Sequence, residues 1–85
     1  MPEISRFYGI VIEMLRNEHG LPHFHARYGR ERISVFIQDG AVTGDFPARK
    51  LTLVRRWWNL HREELLQNWY LARAKEPPRY IEPLD

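Results

Sequence analysis

Hydrophobic and polar positions alternate through the first half of the chain and recur at three- and four-residue steps through the second. The alternation is cleanest in His23-Phe24-His25-Ala26-Arg27-Tyr28. On a strand, Phe24, Ala26 and Tyr28 take one face there, and His23, His25 and Arg27 take the other. Residues 7–15 read as an earlier strand. Residues 32–38 read as a later one, with Ile33, Val35 and Ile37 facing the core and Phe36 the apolar exception outside. Asp39-Gly40 signals a turn, and Ala41 to Phe46 supplies a short fourth strand. Asn17 to Pro22 and the loop Gly29-Arg30-Glu31 connect the strands. Links this short cannot carry parallel crossovers, so the predicted sheet is antiparallel.

Pro47 opens a helical region. Leu51, Val54, Trp58, His61, Leu65, Trp69 and Ala72 recur at helical spacing. Trp57 and Trp58 differ by about 100° around a helix, which puts both at the margins of the core-facing stripe. One helix from Pro47 to Lys75 would run about 43 Å, against about 24 Å for a seven-residue strand. It would overrun its own sheet and leave Trp69 without a partner. A break is therefore expected between Asn59 and Arg62, or else a helix that projects into a dimer. Glu63 and Glu64 suit the first turn of a second helix. Pro77-Pro78 ends it, and Tyr80, Ile81 and Leu84 can tie the tail back. The expected fold is α+β: a three- to four-stranded antiparallel sheet over about 6–46, a helical region over about 47–76, and a tail over 77–85, all one small domain.

Composition narrows the function classes. The 85 residues include three Trp, four Tyr and four Phe. Aromatics at this density can offset the entropy of ordering a short chain. With no cysteine, disulfides and Cys-based zinc sites are excluded. No apolar run approaches the ~18 residues of a membrane span, and Met1-Pro-Glu-Ile-Ser lacks the pattern of a signal peptide. A cytoplasmic protein with no membrane contact is expected. Charge is uneven. Residues 47–62 carry Arg49, Lys50, Arg55, Arg56 and Arg62 with no acid, whereas the net for the whole chain is +2. Arg55 and Arg62 fall on one flank of the apolar stripe, and Arg49 and Arg56 on the other. These arginines can grip nucleic-acid phosphates or rim a protein interface. They can equally lie solvated along the core edge.

The most suggestive chemistry is His19, His23 and His25 with Arg27. His23 and His25 project from one strand face about 6.6 Å apart. Neutral imidazoles can ligate a metal, with Glu18 or Glu13 completing the shell. Alternatively, an imidazole moves a proton while Arg27 holds a phosphate, which suffices for metal-independent RNA cleavage. Solvated strand histidines with a structural or partner-binding role are the third reading. His61 lies on the apolar helix face and reads as a core or helix-end histidine. Phe36 offers a stacking surface for a base, or packs on a partner or the tail. No Gly-rich phosphate loop or nucleophile elbow is present, and no organic cofactor is implied.

Several segments together resemble a known family. Met1 to Ile10, Asn17-Glu18-His19 and Pro22 to Tyr28 are similar to the DUF4160 domain of small bacterial proteins. So are Trp58, His61 to Leu66, Asn68-Trp69 and Ile81 to Leu84. Leu21-Pro22 stands where the family commonly has a Pro pair, and Trp57 adds a second indole. The resemblance covers essentially the whole chain and assigns no catalytic residue. It implies a gene context shared with the DUF2442 domain, in a toxin–antitoxin-like arrangement. The expected function is then an interaction module that contacts a small protein partner, or self-associates, and contacts nucleic acid. The alternative is a small histidine-dependent ribonuclease or metal-dependent hydrolase built on His23, His25 and Arg27.

Overall fold

The amino-terminal segment departs most from the predicted pattern. The computed structural model describes residues 3–16 and 18–85. It has two strands where the sequence reading has one: β1 (Glu3–Phe7) and β2 (Ile10–Glu13), paired antiparallel. Tyr8 and Gly9 form the turn, at φ 51° and 79°. Two successive positive φ values suit a two-residue hairpin, because that turn matches the strand twist. Lys50 helps hold the turn by donating from Nζ to the Tyr8 carbonyl at 2.9 Å.

Strands β3 (His23–Tyr28), β4 (Glu31–Phe36) and β5 (Val42–Gly44) follow. The order in the sheet is β1-β2-β3-β4-β5, antiparallel throughout. The predicted α+β class with an antiparallel sheet and two helical segments is the observed one. The strand count rises to five because of the first hairpin. Phe24 pairs with Val35, and Ala26 with both Ile12 and Ile33. These rows point to the core. The intervening rows, Glu13–His25–Ser34 and Val11–Arg27–Arg32, point to the opposite face.

Helix α1 (Ala48–Leu60) lies on the core face, and α2 (Arg62–Arg73) follows directly. The break falls at His61, with φ −125° and ψ 27°, inside the predicted window. No proline or glycine causes it. The His61 ring lies 5.4 Å from that of Trp57, and its Nδ1 meets Glu64 Oε1 at 2.6 Å. This is the helix-end histidine expected from the pattern. Glu63 and Glu64 occupy the first turn of α2, as predicted.

The tryptophans correct the helical stripe. Trp57 is fully buried between Phe7 and Phe24, at ring-centroid distances of 5.5 and 5.8 Å. Trp58 is only partly buried. Its Nε1 donates to the Ile37 carbonyl at 2.9 Å, and its ring covers Gly40. A Cβ at Gly40 would lie 2.8 Å from that ring. A single stripe drawn through both helices averaged over the break, so it favoured the wrong indole. The break also brings Trp69 back onto the sheet, where it is buried.

The tail is a strap. Asn68 uses both ends of its amide on Arg79, donating to its carbonyl (2.8 Å) and accepting from its N–H (2.9 Å). Ile81 is buried and donates to the Ile4 carbonyl at 2.7 Å. Of the other tail residues expected to dock, Leu84 packs partly on the core and Tyr80 remains exposed. Among the described residues, no helix is long and apolar enough to cross a membrane.

Candidate metal centre

The face of β3 that carries His23 and His25 does not lie open to solvent. It is roofed. The segment after β2 lays Glu18 over both imidazoles, and α2 sets Trp69 against His23 at 5.1 Å between ring centroids. Phe36, the cross-strand partner of His23, closes another side at 6.0 Å. Phe36 is thus half-buried against His23 rather than standing free on the outer face. Both histidine side chains are 12% exposed and that of Glu18 is 28% exposed.

His25 Nε2 lies 2.7 Å from Glu18 Oε1, and His23 Nε2 lies 3.7 Å from Glu18 Oε2. Each of the three residues offers one ligand atom, and these atoms lie within 4.8 Å of one another. The outer ring nitrogens are also engaged. His23 Nδ1 sits 2.7 Å from the Leu21 carbonyl, which can only accept, so this nitrogen carries the hydrogen. In the neutral ring, Nε2 of His23 is then a bare lone pair aimed toward a carboxylate oxygen. Across 3.7 Å a metal ion or a bridging water can satisfy both atoms. His25 Nδ1 is 3.1 Å from Ser34 Oγ, a hydroxyl able to donate or accept. Partners of this kind orient ligating imidazoles. The hydrogen bond from His25 holds the Glu18 carboxyl below the usual carboxylate range. Partial burial opposes this, and the charges of His25 and His23 add to it. Glu18 thus stays ionised into mild acid, as a ligand must.

The remaining candidates lie elsewhere. His19 is exposed and stands outside the cluster. Arg27 does not converge on the histidines. Its Nη2 lies 3.7 Å from Glu13 Oε2, and Arg32 Nη2 lies 3.9 Å from Glu13 Oε1. Glu13 is buried, and its Oε1 has no hydrogen-bond donor among the described residues. Arg32 and Ser34 escaped the sequence reading. Their signal is the β3–β4 register, which pairs Arg27 with Arg32 and His25 with Ser34. Arg49, Arg55 and Arg56 are exposed on α1 and make no ion pair among the described residues. The guanidinium of Arg62 lies over Trp58, 4.8 Å from the ring centroid. Because α1 packs on the Phe24 face, Arg49, Arg55 and Arg56 lie on the side of the sheet opposite the histidines.

A family model described as "Domain of unknown function (DUF4160)" matches residues 9–70, and the chain belongs to that family. The matched segment contains Glu18, His23, His25, Ser34 and Trp69. No curated protein and no solved structure matches the chain.

Proposed function

We propose that Glu18, His23 and His25 bind one divalent transition-metal ion and that the domain is a small metal-dependent hydrolase. The observation that carries this reading is the convergence of Glu18, His23 and His25, each offering one ligand atom within 4.8 Å of the others under a shared roof. Two imidazoles and one carboxylate are a three-ligand set. Structural zinc sites close with four protein ligands, whereas catalytic sites keep three and leave a position for water. Zinc and iron(II) both suit this set. The ion supplies a water that ionises near neutrality and a Lewis acid beside it. The chain's own residues orient the ligands. The Leu21 carbonyl and the Ser34 hydroxyl fix the rings, and Trp69 and Phe36 shield His23 from water.

Calorimetric titration with zinc is expected to give one ion per chain. At a hundredfold excess over Kd the gain is about 2.7 kcal/mol, or roughly 10–20 °C in Tm for a domain of this size. Glu18→Ala, His23→Ala and His25→Ala should each abolish the shift. Failure of the native chain to bind zinc, nickel or iron(II) would sink the reading. RNA cleavage that persists in chelator would favour metal-free acid–base chemistry by the same histidines instead.

A second reading concerns the other side of the sheet. Arg49, Arg55 and Arg56, exposed and in no ion pair among the described residues, support an interaction module for a small acidic partner protein or nucleic acid, in a toxin–antitoxin-like pair as the family resemblance implies. On this reading, reversing the three charges to Glu lowers affinity for a single-stranded RNA probe or a co-expressed DUF2442 protein at least tenfold. Unchanged binding of both, or none by the native chain, would dismiss it.

A further inference from the structure

A second cluster borders the proposed metal centre. Arg16, Glu18 and His19, after β2, meet Arg73 and Lys75, at the end of α2, around a concave pocket of about 180 Å³. Three cations from two separate segments converge there, and Glu18 is the one acid in the lining. The Glu18 carboxylate is turned to the histidines and offsets at most one of the three positive charges, so the lining keeps a net excess of two. Among the described residues, Arg16, Arg73 and Lys75 make no salt bridge.

The cations are positioned. The Arg73 guanidinium lies over Trp69 at 5.7 Å, and its Nη1 reaches the Glu18 carbonyl at 3.5 Å. Trp69 is the ring that packs on His23, so Arg73 touches the metal centre's wall and the backbone of one of its ligands. Lys75 has φ 63°, a left-handed conformation at the helix end where glycine is the usual residue. A lysine there sacrifices some stability, which fits a residue kept for its charge.

We infer that this pocket is a phosphate subsite and that the substrates of the adjoining centre are phosphate esters. The inference rests on the metal-hydrolase reading for its chemistry, though not for its anion binding. A phosphate group offers several acceptor oxygens and one to two negative charges. Guanidinium and ammonium donors around a small concavity match both features. A water occupies about 30 Å³ in the liquid, so a concavity of about 180 Å³ is on the scale of one phosphate group with a few waters. Arg27 and Arg32 fit this role less well, since Glu13 offsets their charge and they stand on the sheet surface. In the reaction, a water oxygen bonds to phosphorus and the bond from phosphorus to the ester oxygen breaks. The water gives up one proton, the departing alkoxide gains one, and the products are an alcohol and phosphate.

The test has two arms. In the first, metal-free protein is titrated with inorganic phosphate and followed by amide chemical shifts. Shifts are expected at residues 16–19 and 73–75, and Arg16→Gln and Lys75→Gly should each weaken binding about tenfold. Lys75→Gly relieves the backbone conformation, so loss of fold does not explain its effect. No binding by the native chain, or equal binding by both variants, overturns the inference. In the second arm, zinc-loaded protein is given p-nitrophenyl phosphate and p-nitrophenyl acetate. The two variants should raise KM for the phosphate ester about tenfold and leave the acetate unaffected. An equal effect on both esters overturns it. If zinc fails to bind but phosphate still does, the hydrolase reading falls and the anion site stands. If zinc binds and phosphate does not, the reverse holds.

Discussion

Trp57→Ala is expected to remove most of the stability of this domain. Loss of a buried Trp side chain costs about 3–5 kcal/mol through lost burial and the cavity that remains. Eighty-five residues at roughly 0.05–0.15 kcal/mol each give a total of only about 4–13 kcal/mol. Trp57 joins three parts of the structure. Its ring packs on Phe7 of β1 and Phe24 of β3 and lies beside His61 at the helix break, and its Nε1 donates to the Glu82 carbonyl at 2.8 Å. A Tm drop of roughly 15–30 °C follows from about 4 kcal/mol at this chain length. Trp58→Ala should cost about half as much, because that ring is partly exposed and mainly covers Gly40. Urea unfolding of the two variants, followed by circular dichroism, ranks them. A larger loss for Trp58→Ala would return the core position to the residue favoured by the helical stripe.

That ranking separates what the sequence made legible from what it hid. The strand His23 to Tyr28 was readable because its period-two alternation holds for six residues, and it placed both imidazoles on one face. The helix break was readable from length, since an unbroken helix would outrun a short strand. Trp57 was hidden because helical angles taken across a break no longer refer to one axis. The first hairpin was hidden because its turn begins with Tyr8, a residue with little preference for positive φ. Ser34 and Arg32 were hidden by one residue. A three-residue loop over 29–31 shifts the register so that His25 no longer faces Ser34. The observed two-residue turn, Gly29-Arg30, pairs Tyr28 with Glu31 and aligns every row beyond it. Glu18 was a named candidate ligand, but nothing local to the turn indicates that it folds over both histidines. The long-range contact there is Arg73 of α2, fifty-five residues on, whose Nη1 reaches the Glu18 carbonyl.

Truncation after Pro78 is expected to unfold the domain, or nearly so, and to weaken the metal centre without removing a ligand. The tail contributes one buried aliphatic side chain, Ile81, worth about 1.5–3 kcal/mol. It also supplies both partners of the Asn68 amide, which is 1% exposed. A buried polar group left without partners costs about 1–3 kcal/mol. Water entering the vacated groove offsets part of this, so the total is about 3–5 kcal/mol, comparable to the lower end of the whole domain's stability. The effect should not be uniform. Asn68 anchors α2 one residue before Trp69, and Trp69 is the wall of His23. Loosening that turn of α2 frees His23 from its roof and Arg73 from the Glu18 carbonyl. Asn68→Ala in the full-length chain is the graded version. It keeps Ile81 and should lower Tm by roughly 5–15 °C, with zinc affinity falling about tenfold, the range seen when a ligand's supporting partner is lost. Hydrogen exchange should show faster opening of α2 than of β3 in this variant. If residues 1–78 melt at the temperature of the whole chain, the tail is an accessory and Trp69 must be held by the helix junction alone. If they melt earlier yet bind zinc with undiminished affinity, the roof over His23 has no part in shaping the site.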